Sequence, residues 1–178
     1  MKIACLGWGS LIWDSRELGV PRDQWRQDGP SLPIEFTRFS SDGRVTLIID
    51  FKAKAVNVLW AELDLESLEQ TVCLLAKREG TRCQSIRSTR ASDTDGDEVR
   101  RSVINWLKSK KLDAAVWTGL SYKDGVRPSV IQVLEHLEKL EGCDKERAEE
   151  YIRKAPRQIF TEYRQAIESK FSWTPTGQ

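Results

Sequence analysis

Ile3-Ala4-Cys5-Leu6-Gly7-Trp8-Gly9-Ser10-Leu11-Ile12-Trp13 is the stretch around which the chain is organised. Residues 3–6 are an unbroken apolar run, the pattern of a strand covered on both faces. Two glycines then bracket Trp8, and Ser10 follows directly. Lacking a Cβ, glycine accepts a positive φ and lets the backbone approach a ligand closely. A buried strand opening into such a loop would present the amides of Gly9, Ser10 and Leu11, with one hydroxyl, as donors suited to a carboxylate or an oxyanion. The same residues also read as a tight turn after a core strand.

Beyond this stretch, residues 14–30 are polar and irregular, with Trp25 as the large anchor after Trp13 and room for a short helix near Pro21. Loops of this length serve as lids or binding loops, or run over the surface pinned by one aromatic. Residues 32–39 and 44–51 predict a hairpin across Ser40-Ser41-Asp42-Gly43, because Asp-Gly between β-rich runs favours the turn. Val45, Leu47 and Ile49 share one face of its second strand and Ile48 takes the other, so both faces are expected to be covered. Residues 55–64 continue the sheet. A helix over 65–79 follows, with Asp64 as N-cap, Gly80 at the C′ position and Leu65, Leu68, Val72, Leu75 and Ala76 as its apolar stripe.

Residues 83–88 read as a short strand and 92–98 as an acidic loop. A helix over 97–110 turns Val99, Val103, Trp106 and Leu107 inward, and 114–120 is a strand whose regular pairing ends at Gly119. Three helices, 129–140, 144–154 and 156–169, fill the last third, the third starting at Pro156 as the N1 preference allows. The tail from Trp173 reads as loose. Strands and helices mixed in front, with mainly antiparallel neighbours and helices behind, predict an α+β architecture: a small mixed β-barrel or sheet with helices packed outside.

Composition narrows the function. The length, 178 residues, is that of a single domain spanning 1–178. Seven tryptophans promise a large aromatic contribution to the core or to a pocket. A net charge of +1 from 28 basic and 27 acidic residues gives no global field for nucleic acid or an anionic membrane. Cys5, Cys73, Cys83 and Cys143 are scattered without a C-x-x-C pair, which predicts reduced, mostly buried thiols. The chain enters its first strand at once, with no apolar leader and no run near the roughly 18 apolar residues of a membrane span, so a cytoplasmic location without membrane contact is expected.

Several chemistries are disfavoured. Gly7-x-Gly9 lacks the third glycine and the βαβ context of a dinucleotide fingerprint, and Ser10 lacks the flanking glycines of a nucleophile elbow. A catalytic dyad would need His136, the one histidine; it falls off the apolar stripe of its helix and reads as a solvated surface residue. One histidine and four isolated cysteines offer no ligand spacing, so no metal site is expected. Lys77, Arg78, Arg82, Arg87 and Arg90 form a basic cluster without interleaved aromatics, read as a solvated face or as a contact for an anionic substrate.

Glu79 occupies the last turn of its helix. A carboxylate there faces the negative end of the helix dipole, a cost of about 0.3–1 kcal/mol when exposed, and burial would act in the same direction on its pKa. An upward-tuned carboxylate suits a general base near neutral pH, although many helices simply end in a surface glutamate.

At this point the sequence resembles a known family. Trp8-Gly9-Ser10-Leu11-Ile12-Trp13 is similar to the Tyr-Gly-Ser-Leu loop of the gamma-glutamyl cyclotransferase-like proteins, closest to the glutathione-degrading branch. Arg78-Glu79-Gly80 is similar to the stretch that carries that family's catalytic acid/base. The resemblance covers roughly residues 3–80 and the strand at 114–120, and nothing comparable is found in the helical last third. It implies a small mixed β-barrel and a cofactor-free acyl transfer in which a gamma-glutamyl substrate's α-amino group attacks its own γ-carbonyl, giving 5-oxoproline and an amine. Glu79 would be the acid/base, and Trp8, Gly9, Ser10, Leu11 and Trp13 would bind the substrate. One departure is plain: Trp8 stands where the family has tyrosine, and an indole N–H donates but cannot accept. Two further readings stay open. One is a non-catalytic member of the same fold that binds an amino-acid-like ligand or a protein. The other is an unrelated α+β module whose basic cluster meets an anionic partner.

Overall fold

The computed structural model describes residues 1–176. In chain order its elements are β1 (Ile3–Gly7), β2 (Ser31–Phe39), β3 (Val45–Ile49), β4 (Ala55–Asn57), β5 (Leu59–Leu63), α1 (Leu68–Glu79), β6 (Ile86–Arg90), α2 (Glu98–Lys110), β7 (Ala114–Thr118), α3 (Val130–Lys139), α4 (Gly142–Lys154) and α5 (Glu162–Phe171). The architecture is α+β. The strands form two open sheets, ordered β5-β1-β7-β6 and β3-β2-β4. Among the described residues neither sheet closes, so of the barrel or sheet expected the barrel is absent and two open sheets are present.

Backbone contacts divide the chain into two interleaved units. The first comprises residues 1–7, 11–32 and 57–120. Its centre is β1, all of whose residues are buried. The apolar run has its reason in the pairing: β5 lies antiparallel on one side, with Ile3 opposite Leu63, and β7 lies parallel on the other, with Ala4 opposite Ala115. A strand flanked on both edges and covered on both faces has no position left for a polar side chain. α1 and α2 both pack on β6 and β7. The predicted inward face of α2 is realised, with Val99, Val103, Trp106 and Leu107 all buried.

α1 starts at Leu68 rather than 65, because Ser67 takes the N-cap and its hydroxyl accepts from the Gln70 amide at 3.1 Å. A serine hydroxyl in extended backbone serves as well as Asp64 would have, three residues further along. The end of the helix is as predicted, with Gly80 at φ +62° and the Thr81 amide bonded to the Ala76 carbonyl at 3.0 Å. The stripe differs: Thr71 and Arg78 are buried while Val72 and Leu65 are only half-covered. The strand read at 83–88 is a 3-10 turn (Cys83–Ser85) running into β6.

The second unit comprises residues 8–10, 33–56 and, of the described residues, 121–176. Its hairpin of β2 and β3 pairs antiparallel, with Phe36 opposite Leu47, and Gly43 turns at φ +82°. Ile48 is buried along with Val45 and Leu47, as expected of a strand covered on both faces. The run at 55–64 is not one strand. It breaks at Val58 into β4, which joins β2, and β5, which joins β1.

The C-terminal third is helical, and α3 carries a full capping box between Ser129 and Gln132. The last helix is shorter than predicted: Pro156 lies outside it, and α5 begins at Glu162 with Thr161 as N-cap. The cause is Arg164. Its guanidinium, fully buried, donates to the carbonyls of Ile152, Ala155, Pro156 and Ile159 and to the Glu168 carboxylate. The Ile152 and Ala155 carbonyls belong to the end and C-cap of α4, while those of Pro156 and Ile159 lie in the irregular stretch 156–161, which the same cation ties to α5.

The tail is not loose through Thr176. Trp173 is buried and stacks on Phe171 at 4.8 Å, and the Thr176 amide bonds the Arg153 carbonyl. The remainder of that predicted tail, Gly177 and Gln178, lies outside the described residues. Among the described residues no helix is long and apolar enough to cross a membrane.

Candidate active site

Glu79 ends α1 and is half-buried, its side chain 15% exposed. Its Oε1 accepts from Arg78 Nη1 at 2.7 Å. Arg78 is itself buried, and its Nε and Nη2 both donate to the Asp14 carbonyl, at 2.9 and 2.6 Å. The result is a chain of three groups: a main-chain oxygen just after the Leu11-Ile12-Trp13 motif, a guanidinium, and a carboxylate. A cation beside the carboxylate offsets its unfavourable position at the negative helix end. Arg16 adds a turn to the same corner, with Nη1 at 3.5 Å from the Arg78 carbonyl.

The Glu79 charge reaches the central strand. Cys5 on β1 is fully buried and its thiol is pushed up to about 12, first by burial, then by the Glu79 carboxylate, with Arg78 acting in the opposite sense. A thiol held protonated in this way is no nucleophile. Cys5 therefore marks where the Glu79 field falls without taking part in chemistry.

Gly7 lies on the same unit as Glu79. It does not need a positive φ; a Cβ there would come within 2.7 Å of the Trp25 ring and 2.8 Å of Ile12, so the requirement is close approach. Trp25 is buried against Gly7, which fits the second of the two readings of residues 14–30, and a 3-10 turn, Arg22–Gln24, follows Pro21. The Trp25 indole N–H is buried without a protein partner. Leu11 is buried and Trp13 half-buried, on either side of Ile12 in a 3-10 turn that begins at Ser10.

Trp8, Gly9 and Ser10 belong to the second unit. The Trp8 ring is buried and its N–H donates to the Leu47 carbonyl at 3.2 Å, so this residue anchors the loop to β3. Gly9 faces the phenol of Tyr151 on α4, whose oxygen would clash with any Cβ at that position. The same phenol oxygen accepts from the Leu47 amide at 3.2 Å.

The other groups singled out in the sequence divide. Of the basic cluster, Lys77, Arg82 and Arg87 are exposed and Arg90 is half-exposed beside Glu69, but Arg78 is buried. His136 is not a solvated surface residue: its Nε2 is 2.7 Å from the Gly43 carbonyl and its ring lies 4.5 Å from Phe39, so it closes the hairpin turn. The thiols are not mostly buried either, since only Cys5 is inside and Cys73, Cys83 and Cys143 are exposed.

Sequence reasoning missed Arg78 as a buried partner of Glu79 and missed a polar cluster inside the second unit. There Glu35 on β2 is buried and receives the Phe36 amide at 2.9 Å, the Thr161 hydroxyl and the Tyr163 amide at 3.2 Å. It caps α5 from another element. Asp50, also buried, accepts from Arg127 Nε at 2.7 Å and the Tyr122 hydroxyl at 2.9 Å. Burial, then Asp50, push the Tyr122 hydroxyl up to about 12. A carboxylate set between apolar neighbours, as in Pro33-Ile34-Glu35-Phe36, is the available signal for this cluster.

No protein-family model, curated protein or solved structure matches the chain.

Proposed function

We propose that this chain is a gamma-glutamyl cyclotransferase-like enzyme, converting a gamma-glutamyl amine or peptide to 5-oxoproline with Glu79 as general acid/base. The observation that carries the reading is the Glu79 corner: a half-buried carboxylate whose Oε1 is fixed by a buried guanidinium, itself fixed by the Asp14 carbonyl. A carboxylate oriented on one oxygen keeps its other oxygen for proton transfer, and positioning of this kind is what a general base requires.

In the proposed reaction Glu79 Oε2 takes a proton from the substrate's α-ammonium. The freed nitrogen forms a bond to the γ-carbonyl carbon, closing a five-membered ring through a tetrahedral oxyanion. The ring nitrogen gives up its second proton to water, the bond from that carbon to the amide nitrogen breaks, and Glu79 returns its proton to the departing amine, which takes up one more from water and leaves as an ammonium. Atoms and charge balance without a cofactor. The nucleophile and the electrophile are carried on one substrate, so proximity is supplied before binding. The resemblance gives the backbone amides of Gly9, Ser10 and Leu11, together with Trp13, to the substrate carboxylate or the oxyanion. Trp8 is assigned to shaping that loop, since its N–H already serves the Leu47 carbonyl. The proposal takes the two open sheets as this family's strands in an unclosed form.

That engagement of Trp8 also favours a second reading. With no phenol at position 8, the chain would keep the fold and bind an amino-acid-like ligand or a protein partner without turnover. Incubating the protein with gamma-glutamyl amines, gamma-glutamyl peptides and glutathione, and measuring 5-oxoproline, separates the two. The enzymatic reading expects release from at least one member of the panel. Binding of such ligands with no 5-oxoproline formed would favour the second.

A further inference from the structure

Cys73 and Cys83 stand on the surface of the first unit with their sulfurs 3.4 Å apart. Their meeting is a product of the local fold. Cys73 lies midway along α1, and the left-handed turn at Gly80 reverses the chain so that the 3-10 turn opening at Cys83 packs back on the same helix. The contact contributes little to the core, because both side chains are exposed. Cysteine is ordinarily among the most buried residue types, and Cys5 follows that habit while these two do not.

We propose that Cys73 and Cys83 are a dithiol exchange site, oxidised reversibly by low-molecular-weight disulfides to an internal disulfide. The thiolate of one cysteine attacks a sulfur of the small disulfide. That S–S bond breaks, and one thiolate leaves with the electron pair and takes up a proton. The second protein sulfur then attacks the protein-side sulfur of the mixed disulfide and expels the other half. Two protein thiols lose two electrons and two protons, and one small disulfide becomes two thiols.

Three features favour this outcome over simple adduct formation. The sulfurs already stand 3.4 Å apart at two exposed positions, so the approach left to bonding distance is short. The second thiol is held on a short chain reversal, so it competes with external thiols at an effective concentration of about millimolar or higher. Exposure leaves the product open to reduction, the mark of labile disulfides. The shared proton raises the Cys73 pKa, which lowers its thiolate fraction and so acts against the rate of attack from that sulfur while leaving the product unchanged. The ring formed would enclose Glu79 and Gly80, yet the exchange itself does not depend on the function proposed for Glu79.

The test is treatment of the dilute, folded protein with oxidised glutathione, followed by intact-mass measurement and a non-reducing digest. The expected result is loss of two hydrogens, a peptide joined Cys73 to Cys83, and full reversal by dithiothreitol. Cys143, exposed and without a neighbouring cysteine, should carry a persistent glutathione adduct in the same sample. In Cys73→Ser and Cys83→Ser the reaction should stop at a glutathione adduct on the remaining member of the pair. The proposal is overturned if the wild-type protein collects separate adducts at both positions, or if the joined peptide involves Cys143 or a second molecule.

Discussion

Among the described residues each unit buries one arginine, and the two are used differently. In the second unit Arg164 is wholly enclosed and its donors go to four main-chain carbonyls and to Glu168. In the first unit Arg78 is nearly as deep, but it holds one carbonyl and a carboxylate, and that carboxylate remains 15% exposed. A buried cation saturated by fixed carbonyls joins segments and has no capacity left for a ligand. A buried cation that orients a carboxylate still open to solvent leaves a titratable group positioned at a surface. Under the proposed function the first arrangement serves stability and the second serves chemistry.

The comparison can be broken at its stronger end. Arg164→Ala strands four carbonyls and Glu168, and removal of one partner from a buried ionic cluster costs about 3–5 kcal/mol. A denaturation midpoint lowered accordingly is the expected outcome, with any activity falling only as the folded fraction falls. Arg78→Leu is expected to cost less, about 1–3 kcal/mol for the groups left without a donor, while lowering turnover in protein that is still folded. If the two variants lost stability equally and Arg78→Leu kept full turnover, the distinction between the arginines would disappear.

Glu35 sharpens the comparison from the acidic side, with a smaller effect. Burial raises its pKa above the ordinary 4.5, although the Thr161 hydroxyl and the Phe36 and Tyr163 amides oppose that rise. The folded chain therefore holds this proton more tightly than the unfolded chain. Its contribution is complete below the unfolded value and is lost as pH rises through the folded one. Denaturation midpoints of wild type and Glu35→Gln, compared across about pH 4 to 7, should diverge, with the wild type alone showing this downward component. Parallel curves would mean that the carboxyl titrates alike in both states.

What the sequence made legible follows from how local each cause is. β1, the hairpin turn at Gly43, the Gly80 cap and the inward face of α2 depend on neighbouring residues, and all are present. The break at Val58 depends on a partner far off: its amide and carbonyl bond Pro30 and Gly29, which divides one apparent strand between two sheets. The late start of α5 likewise depends on carbonyls gathered by Arg164, which in a helical pattern looks like any polar surface position. At the candidate site Glu79 was visible from its place in the last turn before a glycine. Arg78 was read with its basic neighbours, because nothing in Lys77-Arg78-Glu79 distinguishes an inward guanidinium from a solvated one.

The most direct test of the account is Glu79→Gln, followed by both turnover and thermal midpoint on whichever gamma-glutamyl substrate the wild type accepts. A general base contributes about 10²- to 10⁴-fold, so 5-oxoproline release should fall by that factor while the midpoint stays close to wild type. Release that persists undiminished in a folded Glu79→Gln protein would contradict the assignment of this carboxylate to the chemistry.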